Sequence, residues 1–179
     1  MTNVNAHLTP ASMAELLHKT TLFSALTESD LHGLASGAQD LQLTHGQAFF
    51  HEGAAANHYF LVLQGKIEVF RYSLDGEDRV FSVFGAQQLV AIAAMFMAHG
   101  RYPMNARSQD DARVIRLAKQ PLMDVCLRNA TLGLQILRLM GATVYQHVNE
   151  VEWLTTSSAP QRLALYLMRL CEQQGSSIE

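Results

Sequence analysis

Tyr59-Phe60-Leu61-Val62-Leu63-Gln64-Gly65-Lys66-Ile67-Glu68-Val69-Phe70-Arg71-Tyr72 runs into Asp75-Gly76-Glu77 and then into Val80-Phe81-Ser82-Val83-Phe84. Asp-Gly between two alternating apolar segments is among the strongest short-range hairpin signals. Gln64-Gly65 supplies a second turn one strand earlier. The same punctuation continues outward in both directions. Upstream, Leu41 and Leu43 lead to His45-Gly46, and Ala48 and Phe50 lead to Glu52-Gly53. Downstream, Ala112 to Leu117 reads as a last strand. Short strands with a turn every eight to twelve residues close into a sandwich, jelly roll or barrel rather than a βαβ sheet.

The flanks have a different period. Residues 12–37 read as helix, with Met13, Leu16 and Leu17 as an apolar stripe. A second short helix, Glu28 to Gly37, is capped by Thr27 and carries Asp30 in its first turn. After Lys119 the pattern is helical again, and Asn129 or Thr131 can cap a long helix reaching about Thr155, roughly 40 Å at 1.5 Å per residue. On it Leu134, Leu137, Gly141, Val144, Val148, Val151 and Thr155 follow a 3,4 spacing, the seam of a coiled coil. Leu132, Ile136, Leu139, Thr143 and Leu154 form a second apolar band. A helix with two apolar faces has two things to bury against. A symmetric parallel homodimer is expected, through either stripe; the competing reading packs the whole helix across one domain. Pro160 then opens a final helix that Gly175 stops.

Of 179 residues, 49% are hydrophobic and 16% charged, against about a quarter charged in ordinary domains. The longest uncharged apolar run, Leu89 to Ala98, is about half of the ~20 residues a membrane-spanning helix needs. The first residues, MTNVNAHLTP, lack a signal-peptide pattern. Two cysteines, Cys126 and Cys171, can build neither a disulfide framework nor a four-thiolate site, so a reduced cytoplasmic setting is expected. The net charge of −3 carries no nucleic-acid footprint. No Gly-rich phosphate loop, Gly-x-Ser-x-Gly elbow or paired carboxylates in an apolar setting occur, so catalysis is not expected. Eight histidines include no His-x-His. His45, His51 and His58 fall on successive turns and strand starts, and no metal site is expected from them.

Helix, glycine-punctuated barrel and long helix, in that order, resemble the sensor half of the cyclic-AMP receptor protein and fumarate–nitrate reduction regulator (Crp/Fnr) family. The resemblance rests on Leu22-Phe23-Ser24-Ala25-Leu26, His51-Glu52-Gly53, Tyr59 to Ile67, Asp75-Gly76-Glu77, Asn149-Glu150-Val151-Glu152 and Arg162 to Leu167. It implies an α+β, mainly β fold: a cyclic-nucleotide-binding-like jelly roll with N-terminal helices over 12–128, a dimerisation helix over 129–156 and a connecting helix over 160–175. It also implies a transcription regulator whose DNA-reading helix-turn-helix would follow the last helix and is missing here, so that this chain alone would not bind DNA.

Family members that bind cyclic nucleotides open a short helix with Gly-Glu and place Arg-Ser or Arg-Thr about ten residues on. The arginine and the helix amino end hold the phosphate; the glutamate holds the ribose. Aligned on Met95-Phe96, those places hold Ala91-Ile92 and Tyr102-Pro103. An iron–sulfur cluster is also excluded, since no cysteine precedes Cys126. What remains is an effector pocket of Ile92, Met95, Phe96, Tyr102, Pro103 and Met104. Ala94-Met95-Phe96-Met97 with Tyr102 is similar to the dissimilatory nitrate respiration regulators. That branch implies haem-borne nitric oxide sensing, with His18 and His99 as candidate ligands, or another apolar or redox effector. The alternatives are a cyclic-nucleotide-binding module and a jelly-roll metal enzyme. Leu137, Gly141, Val144, Val148 and Val151 are the expected dimer seam.

Overall fold

The computed structural model describes residues 8–73, 75–156 and 160. Contacts divide the chain into two units, Met1–Gln135 and Ile136–Glu179. The described elements run α1 (Pro10–His18), α2 (Glu28–Ala35), β1 (Gln39–Leu43), β2 (Ala48–Phe50), β3 (His58–Gln64), β4 (Ile67–Tyr72), β5 (Asp78–Phe84) and β6 (Leu89–Val90). A 3₁₀ turn (Ala93–Phe96), β7 (Asn105–Ser108), β8 (Ala112–Ala118), α3 (Lys119–Arg128) and α4 (Ala130–Thr156) follow. The strands form two four-stranded sheets, β1-β8-β3-β6 and β2-β7-β4-β5, every pair antiparallel. Two antiparallel four-stranded sheets of this kind form the jelly roll expected from the sequence.

Two turns visible in the sequence shape the sandwich. The Asp75-Gly76 turn closes β4 on β5: Gly76 has φ +83°, its N–H donates to the Ser73 carbonyl at 2.9 Å, and Ser73 N–H donates to Glu77 O at 2.8 Å. Gly65, at φ +79°, turns β3 into β4 under the Asp110–Ala112 backbone. There the Lys66 N–H donates to Asp110 Oδ1 at 2.6 Å.

Strict alternation fails in β3. Tyr59, Phe60, Leu61 and Val62 are all buried, because both faces of this inner strand are covered. Phe60 faces the second sheet, with its ring 4.8 Å from Phe49 and 5.7 Å from Phe50. Tyr59 faces the other way, its ring 6.3 Å from Phe23 in the segment joining α1 to α2. A strand covered on both faces reads as a continuous apolar run rather than an alternating one. The opposite holds for β5, where Val80, Phe81 and Val83 are about half exposed: it is an edge strand, partnered by β4 alone.

The second N-terminal helix is tied to α3 by a polar clamp. Thr27 caps α2, its Oγ1 accepting from the Asp30 N–H at 3.2 Å, and Asp30 Oδ1 accepts from Arg128 at the end of α3 at 2.9 and 3.1 Å. The helical stretch after Lys119 is not continuous. Asn129 leaves helical geometry at φ −121°, ends α3, and caps α4 by accepting from the Leu132 N–H at 3.2 Å. The Glu28 helix ends at Ala35, two residues short of the expected Gly37. On α4, Leu132 and Ile136 are buried, while Leu137, Val144, Val148 and Val151 are 57–70% exposed. The connecting helix expected over 160–175 and Cys171 lie outside the described residues, apart from Pro160.

Candidate effector site between β6 and β7

The segment from Gly85 to Ser108 is built from a short strand, one 3₁₀ turn and a return strand, held by specific backbone pairs. Gln88 Oε1 accepts from the Gly85 N–H at 2.7 Å, and Gln87 N–H and Val62 O close at 2.9 Å. Gln87 (φ 67°) and Ala91 (φ 63°) both sit in the left-handed region, which costs a residue bearing a Cβ about 1–2 kcal/mol. Ala91 is the residue aligned with the glycine that opens the short helix in cyclic-nucleotide binders. Ala91 thus takes, with a Cβ, a backbone conformation that glycine adopts more easily. Ile92, Ala94 and Met95 then point inward and are buried; Phe96 stays 39% exposed.

Tyr102 is the centre of the return. Its ring stacks on Phe50, 4.0 Å between centroids at an interplanar angle of 16°. Its hydroxyl donates to the His58 carbonyl at 2.7 Å, and burial pushes its phenol pKa up. Its backbone is held at both ends: Tyr102 N–H donates to Ala54 O, and Gly53 N–H donates to Tyr102 O, each at 2.9 Å. Phe49, Phe50, Phe60 and Tyr102 thus make one aromatic wall between the sheets. The sequence pattern put Phe50 on a strand, but carried no sign that it would meet Tyr102.

The guanidinium groups of this region are committed elsewhere. Arg71 donates twice to the Pro103 carbonyl, at 2.9 and 2.6 Å, and lies 3.4 Å from Glu52. Arg101 Nη1 donates to Gly53 O at 2.6 Å. Arg107 pairs with Glu68 at 2.9 Å and with Asp78, and lies over the Phe70 ring at 4.4 Å. The two carboxylates raise its pKa further and offset its charge. A cyclic phosphate placed beside Tyr102 would meet an aromatic ring and a hydroxyl whose proton is already donated.

Ile92, Met95 and Tyr102 are buried, with Pro103 and Met104 half-buried beside them in sequence. The two candidate haem ligands are placed differently. His18 is exposed at the end of α1 and lines a cleft with residues of α2. That cleft, about 210 Å³, is below the roughly 300–1,000 Å³ of pockets that hold even drug-sized ligands. His99 is exposed, and its Nδ1 accepts from the Arg101 N–H at 3.1 Å. A haem needs an apolar slot with an axial ligand inside it. As placed, these two imidazoles enclose no such slot and do not fit a buried haem.

The family model described as the cyclic nucleotide-binding domain matches residues 40–129, from β1 through α3. The chain belongs to this family. Within it the chain groups with Crp/Fnr-type regulators. It is 20% identical over 164 residues to the CRP-like cAMP-activated global transcriptional regulator of Mycobacterium tuberculosis, covering 92% of this chain and 73% of that one. It is 23% identical to the anaerobic regulatory protein of Bacillus subtilis, covering 85% and 64%. Among solved structures, the sensor domain of the transcriptional regulator DNR from Pseudomonas aeruginosa superposes with a TM-score of 0.70 at 23% identity. That match covers 80% of this chain and 95% of that domain. The Mycobacterium and Pseudomonas relatives are named as transcriptional regulators and the Bacillus one as a regulatory protein, and the chain is a Crp/Fnr-type sensor domain of a transcription regulator. One named relative answers cAMP and another is named for anaerobic regulation, so the names do not choose the signal. Among the described residues no helix is long and apolar enough to cross a membrane.

Proposed function

We propose that this chain is the effector-sensing and dimerisation region of its regulator, and that its β6–β7 segment answers a small apolar or redox signal rather than a cyclic nucleotide. The carrying observation is Tyr102: it stands where cyclic-nucleotide binders of the family place the phosphate arginine, stacked on Phe50 and bonded to the His58 carbonyl. Ile92, at the ribose-binding carboxylate's place, is buried and apolar, and Arg71, Arg101 and Arg107 are already paired. Repacking of Ile92, Met95 and Tyr102 is the event an effector would cause.

The second half of the reading concerns α4. A heptad-spaced stripe with Leu137, Val144, Val148 and Val151 at 57–70% exposure is an apolar surface that a second copy would cover in a parallel pair. Reorientation of that pair would carry the signal onward.

Titration of the purified chain tests the effector reading. Cyclic AMP and cyclic GMP should produce no saturable heat and no thermal stabilisation; a stoichiometric, Tyr102-sensitive cyclic AMP isotherm would sink it. Haemin in parallel tests the porphyrin-borne form of the signal, which would show as a sharp Soret band with one-to-one uptake. For the dimer, sedimentation should report two chains, and V148E should report one.

A further inference from the structure

Ile92, Met95 and Tyr102 are buried, so a ligand reaches them only if something moves, and β6 is placed to move. It has two residues, Leu89 and Val90, and sits at the edge of its sheet, paired with β3 alone. Val90 lies opposite Phe60 and Leu89 opposite Leu61. Cross-strand partners share a face. Val90, fully buried, therefore points with Phe60 to the side where Phe49 and Phe50 pack, and Tyr102 stacks on Phe50 in turn.

Both ends of β6 are bent against their preference. Gln87, two residues before it, and Ala91, directly after it, hold φ of 67° and 63°. Among the described residues they are the two non-glycine positions with positive φ. Such backbone persists only where its surroundings enforce it, and it collects at switch segments. The enforcing contacts here are short-range: Gln87 N–H donates to Val62 O at 2.9 Å, Val62 N–H donates to Gln88 O at 3.0 Å, and Val90 and Ile92 are buried. The Gln87 side chain is exposed.

We propose that β6 is the lid of a cryptic slot: rotation at Gln87 and Ala91 swings Leu89 and Val90 off β3 and uncovers the aromatic wall for a flat, uncharged ligand. The ligand rests on the effector reading; the motion does not. Two residues leaving the left-handed region offset part of the burial that Val90 loses. The rings of Phe50, Phe60 and Tyr102 then offer stacking faces. Arg71, Arg101 and Arg107 stay with their own partners, which favours a neutral ligand over an anion. A ligand that takes the space Val90 vacates makes the open state dominant. Ala91 leads directly into Ile92 and the 3₁₀ turn, so the lid's movement is passed to Ile92 and Met95.

Hydrogen exchange on the whole chain, read by mass spectrometry over a peptide covering 85–92, tests the motion without any ligand. That peptide should exchange faster than Ala112–Ala118 of β8 and be insensitive to low urea, the mark of local opening. Q87G and A91G should each slow it by roughly 2–5-fold, and the double variant by roughly 5–30-fold, from strain relieved less the entropy that glycine loses. N-phenyl-1-naphthylamine, a neutral fluorescent aromatic, tests the slot. It should bind saturably, and its Kd should rise in the double variant by the same factor, because apparent affinity scales with the open fraction. Exchange of 85–92 only together with β8, or rates that Q87G and A91G leave unaltered, would overturn the lid. Absence of saturable probe binding, or a Kd indifferent to the double variant, would overturn the slot. A cyclic AMP isotherm would instead refute the effector reading and leave the exchange result standing.

Discussion

Replacing Ala91 by glycine should stabilise this protein, although alanine-to-glycine changes ordinarily do the reverse. Ala91 sits at φ 63°, where a Cβ crowds the following carbonyl at a cost of about 1–2 kcal/mol. Glycine removes that cost but loses more backbone entropy on folding, about 0.5–1 kcal/mol. The difference leaves a gain on the order of 0.5–1 kcal/mol. At about 2–4 °C per kcal/mol for a chain of this size, Tm should rise by roughly 1–4 °C. The control lies two residues on. Ala93 is in the 3₁₀ turn, where φ is not positive, so A93G should pay glycine's entropy with no relief and lower Tm. Thermal unfolding of both variants followed by circular dichroism, at one fixed protein concentration because an oligomer's Tm depends on it, decides the matter. If A91G falls with A93G, the left-handed residue is not strained and its link to a glycine-opened bend is wrong.

Gly65 should be intolerant in the opposite sense. A Cβ there would meet Asp111 O at 2.6 Å, Asp110 Oδ1 at 2.7 Å and Ala112 Cα at 2.8 Å, at φ +79°. G65A should therefore cost roughly 2–5 kcal/mol from left-handed strain plus overpacking, read as a lower urea midpoint; an unchanged midpoint would refute the close approach. The Tyr59 hydroxyl is buried with no hydrogen-bond partner among the described residues, so Y59F should be neutral or stabilising by about 1 kcal/mol. A loss beyond 1 kcal/mol would reveal a partner. Asp30 is held below the usual carboxylate range, chiefly by its hydrogen bond from Arg128 and against the opposing effect of burial. Its contribution is complete above the unfolded value near 3.9 and is lost as pH falls through the lowered folded value. D30N should thus flatten the acid limb of a stability–pH profile below about pH 4, and an identical limb would show that Asp30 does not titrate there.

What the sequence disclosed and what it withheld divide along the range of the interactions. Thr27 before Asp30, Asp75-Gly76 between two strands, and Asn129 before the long helix are local signals, and each sits where its chemistry placed it. Two strands were invisible for plain reasons: β6 has two residues, and the four of β7, Asn105-Ala106-Arg107-Ser108, carry no alternation of large apolar side chains. β5 carries an alternating pattern yet stays exposed, because alternation marks a strand and does not say whether another layer covers it. β3 has no alternation because layers cover both its faces.

The site follows the same division, with a sharper consequence. A jelly roll needs apolar residues facing inward, and Tyr102 satisfies that demand as well as many other residues would. Nothing in a periodic pattern distinguishes a ring that fills a pocket from one that lines it. The distinction appears only when Phe50, fifty-two residues earlier, is found stacked against it and the His58 carbonyl is found accepting its proton. The same holds for charge. Arg71, Arg101 and Arg107 would count as an anion-binding supply in any tally of nearby cations. Their partners are Pro103 O and Glu52, Gly53 O, and Glu68 with Asp78, supplied by other turns and strands. Pairing within this one sheet and its loops, rather than the number of arginines, sets whether a phosphate finds a cation here. Swapping Tyr102 for arginine without freeing room at Phe50 should therefore not restore nucleotide binding. The new guanidinium would enter a space already closed by an aromatic wall, and its solvation would have to be replaced by a ligand with no ribose partner at Ile92.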